Sequence, residues 1–279
     1  MKKLSGKLIA QNLLADLKDR LAALPYQPVL CDAVLGGDPV SLSYVRIKAR
    51  TAKAAGIGFE LMELSDALSH AEILTAIDEQ QANPHVSGLI MQLPLPPQYD
   101  QQSILDHINP AIDVDCIGRA NSEAFYLGQP NFMPPTAAAI LEILHSLPKD
   151  FDIKHKQFLV IGQGELVGRP TTFLLKQHGY NVLTADRQTV DLPALTRQAD
   201  IIISGTGQAG LINASLVKPG SIIIDAGTSE TGSGISGDVD DKSLEKMPGL
   251  LSPVPGGVGP VTVAKLLSNV VLAAERRLT

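Results

Sequence analysis

Short apolar runs alternate with amphipathic helical stretches along nearly the whole chain, and this alternation restricts the fold more than any other feature. Residues 4–24 carry apolar groups at helical spacing, and the strand-like run "PVLCDAVLGG" that follows ends in Gly36 and Gly37. A helix from about Ser41, a strand over 59–64, a helix over 69–82 and a strand over 86–93 continue the series; a further helix is predicted over 136–147. After a break at Pro148, Lys149 and Asp150 a second series begins, with strands over 157–162, 181–186, 200–205 and 221–228. Helices fill its gaps, the one between 205 and 221 being short, and residues 261–277 predict a last amphipathic helix. Short strands apolar on both faces, separated by helices, belong to mostly parallel sheets covered on both sides. The fold class is therefore α/β. An N-terminal three-layer α/β domain is expected over 1–118 and a Rossmann-like dinucleotide-binding domain over 119–259, with the helix of about 260–279 returning to the first.

Composition removes several function classes. A formal net charge of −6 lacks the concentrated basic surface that nucleic acid requires, so no nucleic-acid partner is expected. Cys31 and Cys116 stand far apart, with neither a disulfide framework nor metal-ligand spacing, which points to the cytoplasm and to no metal. Lys7, Asp16, Lys18, Asp19 and Arg20 interrupt any apolar leader, and no run approaches the roughly 18 apolar residues of a membrane span. No membrane partner is expected.

The segment "FLVIGQGELVGRP" places Gly162, Gly164 and Gly168 after a strand and at the opening of a helix. Glycines there permit a tight turn and let backbone N–H groups approach a pyrophosphate at the positive end of the helix. The next strand ends in Asp186, whose carboxylate suits the hydroxyls of an adenosine ribose. That charge favours NAD, whereas Arg187 beside it suits the 2′-phosphate of NADP, and both cofactors stay open. A glycine-rich connection that binds nothing is the plainer alternative.

"SLSYVRIKAR", residues 41–50, holds the second candidate. On a helical wheel Leu42, Val45, Ala49 and Ala52 form the core-facing stripe, and Arg46, Arg50 and Lys53 fall opposite. Tyr44 and Lys48 lie on the border of the stripe, where a lysine is partly desolvated and suited to proton transfer. The bland alternative is a lysine whose stem covers apolar surface while its ammonium reaches water. Gln92 ends a predicted strand just before "LPLP", where sites gather in parallel sheets; a Gln bonded only to loop backbone is its alternative. Asp113 and Asp115 read by themselves as loop residues, and Pro255 to Pro260 as a rigid turn before the last helix.

"YVRIK", "GLIMQLPLP", "DVD", the turn at 162–170, "GDVD" and "SPVPGGVGPVTVAKLL" together resemble the bifunctional methylenetetrahydrofolate dehydrogenase/methenyltetrahydrofolate cyclohydrolase family, in order and spacing, from about residue 4 to 275. The resemblance implies a homodimer with an N-terminal folate-binding catalytic domain and a Rossmann NAD(P)-binding domain, folate and nicotinamide meeting in the cleft between them. It implies oxidation of 5,10-methylenetetrahydrofolate with NAD(P) and hydrolysis of the methenyl product to 10-formyltetrahydrofolate. It makes Lys48 the acid/base of the hydrolytic step, Gln92 its support and Tyr44 the group that stacks on or orients the folate. It places the pterin donor edge on Asp115, and folate against Pro255, Gly256, Gly257, Val258 and Gly259. The implied cofactor set is Gly162, Gln163, Gly164, Gly168, Asp186, Arg187 and Thr228, with NADP as the family default and NAD possible. The chain departs from the pattern at several places. Ile112 and Cys116 stand where the family has Lys and Gly around "DVD", and Pro134-Pro135-Thr136-Ala137 replaces Pro-Cys-Thr-Pro. Gln163 and Asp186 stand where Arg and His are common. Two alternatives follow from these departures: hydrolysis without dehydrogenation, or a folate- or nucleotide-binding protein without turnover.

Overall fold

The computed structural model describes residues 1–36, 39–148, 151–231 and 234–278. Gly37 and the Lys149–Asp150 break lie outside the described residues. In chain order the elements are β1 (Lys2–Lys3), α1 (Gly6–Ala22), β2 (Val29–Leu35), α2 (Pro39–Ala55), β3 (Gly58–Leu64), α3 (His70–Ala82), β4 (Val86–Met91), α4 (Gln101–His107), α5 (Arg119–Tyr126) and α6 (Pro135–His145). They continue as β5 (Gln157–Ile161), α7 (Gly168–Gln177), β6 (Asn181–Ala185), α8 (Leu192–Gln198), β7 (Ile201–Ser204), β8 (Ile222–Asp225), β9 (Ser229–Thr231), β10 (Gly234–Ser236), β11 (Leu250–Ser252) and α9 (Val258–Arg276).

The chain divides into two compact units, each discontinuous. One comprises Asn12–Pro135 with Val263–Thr279, the other Met1–Gln11 with Thr136–Thr262. The division differs from one at residue 118 for two physical reasons. Residues 1–3 are drawn to the second series because β1 pairs in parallel with β11. The stretch 119–135 stays with the first because Asn121 bonds Asp113, and Met133 O accepts from Asn269 Nδ2 at 2.9 Å.

The first unit is built on a parallel sheet of order β3-β2-β4. Strand periodicity sorts its residues by face. Leu30 and Ile90 pack with Ala52 and Ala55 of α2, Leu17 of α1, and Leu266, Leu267, Val270 and Val271 of α9. Cys31, Ala33, Leu35, Leu89 and Met91 face the other way, onto Ile73 and Ile77 of α3 and Ile104 and Leu105 of α4. The result is three layers. Helix α3 starts where a capping box forms, Ser69 N donating to Glu72 Oε2 at 2.7 Å and Glu72 N to Ser69 Oγ at 3.3 Å. Helix α9 is long and apolar enough by composition to cross a membrane. Its apolar residues are used instead in this core, with Val270 and Val271 fully buried.

The second unit holds a six-stranded parallel sheet of order β1-β11-β8-β7-β5-β6. The crossovers run from β5 outward to β6 and then back past β5 to β7, so the strand order reverses between β5 and β7. Ligands of open parallel sheets bind outside the carboxyl ends at such a reversal. The short helix expected between 205 and 221 is absent from these described residues, which form turns around Gly207, Gly210 and Gly220, all at positive φ. Helices α4 and α5, strands β1 and β11, and the β9–β10 hairpin are elements beyond those the periodicity predicts.

Candidate active site

Lys48 owes its position to α2. Val45 and Ala52 are buried, Arg46, Arg50 and Lys53 are exposed, and Tyr44 and Lys48 are half-buried one turn apart along the border. The wheel is therefore correct at each of these positions. Gln92 prolongs β4, its N–H donating to Ala33 O at 2.8 Å. Residue 92 shares the face of Ile90, the face covered by α2. Its Oε1 accepts from Lys48 Nζ at 2.9 Å.

A second partner meets the same nitrogen. Asp32 pairs with Ile90 across β2 and β4, so its side chain points to the α2 face, and its Oδ2 lies 2.7 Å from Lys48 Nζ. Asp32 is 0% exposed and Lys48 12%. Among the described residues neither Asp32 oxygen has a donor besides Lys48, with which Oδ2 forms a buried ion pair. Burial pushes the Asp32 carboxyl up, and the Lys48 charge opposes this. Periodicity passed over this residue. The available signal was an aspartate inside the otherwise apolar run "VLCDAVL", a place where carboxylates are rarely buried without a partner.

Asp115 is half-buried in the connection between α4 and α5. Its carboxyl is pushed up by burial, pulled down by Lys48 and pushed up again by Asp32, so the three charges share one field. Asp113 supports the loop. It accepts from Gly118 N at 3.1 Å, Asn121 Nδ2 at 3.2 Å and Ile117 N at 3.3 Å. Asn269 of α9 donates to Val114 O at 2.8 Å, fixing the residue beside Asp115.

In the second unit the turn after β5 sits at the strand-order reversal. Gly162 has φ +87, and a β-carbon there would stand 2.5 Å from Gly205 O. A β-carbon on Gly168 would overlap Gly162 O, whereas one on Gly164 would meet nothing within 4 Å. Two glycines are thus needed for packing, and the third leaves open space in front of α7. Gln163 turns inward, donating to Gly162 O at 3.0 Å. Asp186 directly follows β6 and is exposed, its Oδ1 accepting from Gln188 N at 2.9 Å; Arg187 and Thr228 are exposed as well. The 255–259 turn also belongs to this unit. Gly256 has φ +100, Gly257 and Val258 are buried, and Pro255 and Gly259 are exposed. Lys48, Gln92 and Asp115 are brought together in one unit, with Tyr44 a turn away, and the turn and cofactor candidates lie in the other.

Two family models match in tandem. The catalytic domain of tetrahydrofolate dehydrogenase/cyclohydrolase covers residues 4–115, and the NAD(P)-binding domain of the same enzyme covers 134–278. The chain belongs to this family. Among relatives of the tetrahydrofolate dehydrogenase/cyclohydrolase family, the bifunctional protein FolD 2 of Desulfitobacterium hafniense is 37% identical, over 96% of this chain and 94% of its own. The crystal structure of the bifunctional FolD enzyme of Campylobacter jejuni superposes with a TM-score of 0.92 at 33% identity, covering 99% of both chains. The Trypanosoma brucei enzyme, solved with NADP and an inhibitor, gives 0.91 at 29% identity, covering 99% of this chain and 97% of its own. Where the family pattern has glycine after "DVD", Cys116 adopts φ +60, keeping the left-handed backbone that glycine takes easily while burying a thiol. The open space at Gly164, the start of α7 and the carboxylate of Asp186 together fit a dinucleotide.

Proposed function

We propose that this protein oxidises 5,10-methylenetetrahydrofolate to the methenyl form with NAD(P)+ and hydrolyses that product to 10-formyltetrahydrofolate. The observation that carries the reading is the 2.9 Å contact of Lys48 Nζ with Gln92 Oε1, beside the charge of Asp115. Asp115 accepts from the 2-amino group and adjacent ring nitrogen of the pterin, and Tyr44 lies against the folate ring system. Gln92 holds Nζ in place. Lys48 takes a proton from the water that attacks the amidinium carbon and returns one to the departing ring nitrogen; such general acid–base catalysis is worth roughly 10²–10⁴-fold. The 255–259 turn offers the folate a surface without bulky side chains. Gly162, Gly164, Gly168 and the first turn of α7 hold the dinucleotide phosphates, and NAD(P)+ when bound supplies the hydride acceptor.

Asp186 supports NAD over NADP, because its oxygen is pinned to the backbone after β6 and its charge opposes a ribose 2′-phosphate. A homodimer and a cytoplasmic location belong to the same proposal and rest on family membership. The test supplies purified protein with 5,10-methylenetetrahydrofolate and either NAD+ or NADP+, following the appearance and the decay of methenyl absorbance separately. Formation with NAD+ followed by decay is expected. No formation with either cofactor refutes the dehydrogenase, and loss of decay in Lys48→Met with formation retained supports the assignment of Lys48. A light-scattering mass equal to one chain would refute the dimer.

A further inference from the structure

Lys48 has a charged partner that the hydrolytic scheme leaves unused. Asp32 lies at ion-pair distance from Nζ, on the strand face that also carries Gln92, with no exposure to water. An ammonium pinned beside a permanent carboxylate is a poor base, because the opposite charge favours its protonated form. A buried carboxylate with Lys48 as its one close partner among the described residues recovers only part of its lost hydration. Both difficulties vanish if one proton can sit on either group.

We propose that Asp32 is a positioning residue for Lys48, holding Nζ beside Gln92 and exchanging one proton with it. In the exchange an N–H bond of the ammonium breaks and an O–H bond forms on Oδ2. The nitrogen keeps the electron pair, and the two groups together remain neutral. Lys48 becomes an amine able to accept a proton from water without the site gaining or losing net charge. The 2.7 Å separation is within the range over which heavy atoms exchange protons. Burial favours the uncharged form of the pair, because two ions in a dry interior lose their hydration. Asp115 adds a second negative charge to the same field, Glu60 of β3 pairs with Cys31 beside Asp32, and the Cys31 thiol is pushed up to about 12 by burial and by Glu60 and Asp32. Lys48 is the nearby cation, and Asp115, Glu60 and Cys31 are the other titratable neighbours.

This inference rests on the proposed hydrolysis for its kinetic arm and is independent of it for its spectroscopic arm. Protein carrying ¹³C-labelled lysine and aspartate is titrated by NMR, with the Lys48 ¹³Cε signal assigned by its loss in Lys48→Met. In the wild type the Lys48 ¹³Cε and Asp32 ¹³Cγ shifts should move in the same steps, as coupled groups do. In Asp32→Asn the Lys48 ¹³Cε shift should move in a single step of its own, displaced from the wild-type curve. Hydrolytic kcat should be flat with pH in the wild type while the pair holds one proton. It should rise about tenfold per pH unit below the new midpoint in Asp32→Asn, because the amine fraction then follows free proton concentration. Separate single-site titrations in the wild type overturn the proposal even if the variant fails to fold. An Asp32→Asn protein with the wild-type midpoint and pH profile reduces Asp32 to packing. Wild-type protein that shows coupled titration but no hydrolysis refutes the assigned reaction and leaves the proton sharing standing.

Discussion

Gly88→Ala should weaken the first unit and loosen the loop that carries Asp115. A β-carbon at residue 88 of β4 would stand 2.8 Å from Val270 Cγ2 and 2.9 Å from Val114 Cγ2. Carbon atoms pack at about 3.5–4.0 Å, so each valine must retreat by roughly 1 Å. Both are fully buried, Val270 within α9 and Val114 beside Asp115, so neither has empty space behind it. Overpacking of this kind costs about 1–3 kcal/mol, and the smaller chain entropy of alanine offsets about 0.5–1 kcal/mol. A net loss of about 1–2 kcal/mol is expected from urea melts followed by far-UV circular dichroism, since the chain has no tryptophan to report by fluorescence. Val270→Ala alone should also destabilise by leaving a cavity, yet in the double variant the new methyl enters that space. The coupling energy should therefore reach about 1 kcal/mol or more. KM for methenyltetrahydrofolate should rise in Gly88→Ala and recover in the double variant, because Val114 positions the neighbouring Asp115. Additive stabilities within about 0.5 kcal/mol would refute this packing account.

Asn269→Leu should cost about 2–3 kcal/mol in the same melts, because Val114 O and Met133 O lose their donors in a buried place. Gly164→Val should fold with unchanged stability but bind dinucleotide at least tenfold more weakly by calorimetry, since its side chain enters the open space before α7. Gly162→Ala should instead unfold the second unit at lower urea, by about 2 kcal/mol or more, from positive φ and contact with Gly205 O. Burial above all, and then the charge of Asp115, push Asp113 up to about 7. Its folded pKa exceeds its unfolded one, so its contribution is full below about pH 4 and is lost as pH rises through about 7. Wild-type stability should accordingly fall across that window by up to about 1.4 kcal/mol per pH unit, and Asp113→Asn should flatten the slope.

Local chemistry made part of this molecule readable from its sequence, and long-range pairing hid the rest. The wheel of α2 separated Lys48 from Arg46 and Arg50 because helical periodicity is a property of the segment alone. The glycine turn was readable for a similar reason: a strand, a tight turn and a helix follow one another within a few residues. Lys2 and Lys3 look like the polar approach to α1, and only pairing with Leu250 and Leu251 makes them a strand. The segment after β7 contains enough apolar residues to suggest a helix. It is held open by Asp238, which accepts from Ser204 Oγ and Thr206 N at 2.7 Å and from Gln208 N at 2.9 Å. Asp32 is the instructive omission. An averaging reading of "VLCDAVL" reports an apolar strand, whereas the one residue that breaks the average is the one that touches Lys48.

The discontinuity of both units bears on how the protein is made. Helix α9 supplies Leu266, Leu267, Val270 and Val271 to the core that Leu30 and Ile90 begin. A ribosome that has delivered β2, α2 and β4 has therefore exposed half of a core whose covering helix is not yet synthesised, and the body of the other unit is translated first. Lys48, Asp32 and Gln92 wait through that interval in a layer open to water. The face of the sheet that carries them is completed only when the last helix closes over Leu30 and Ile90. Neither unit can be cut out as one uninterrupted fragment and still be whole, which couples the two in synthesis and in inheritance.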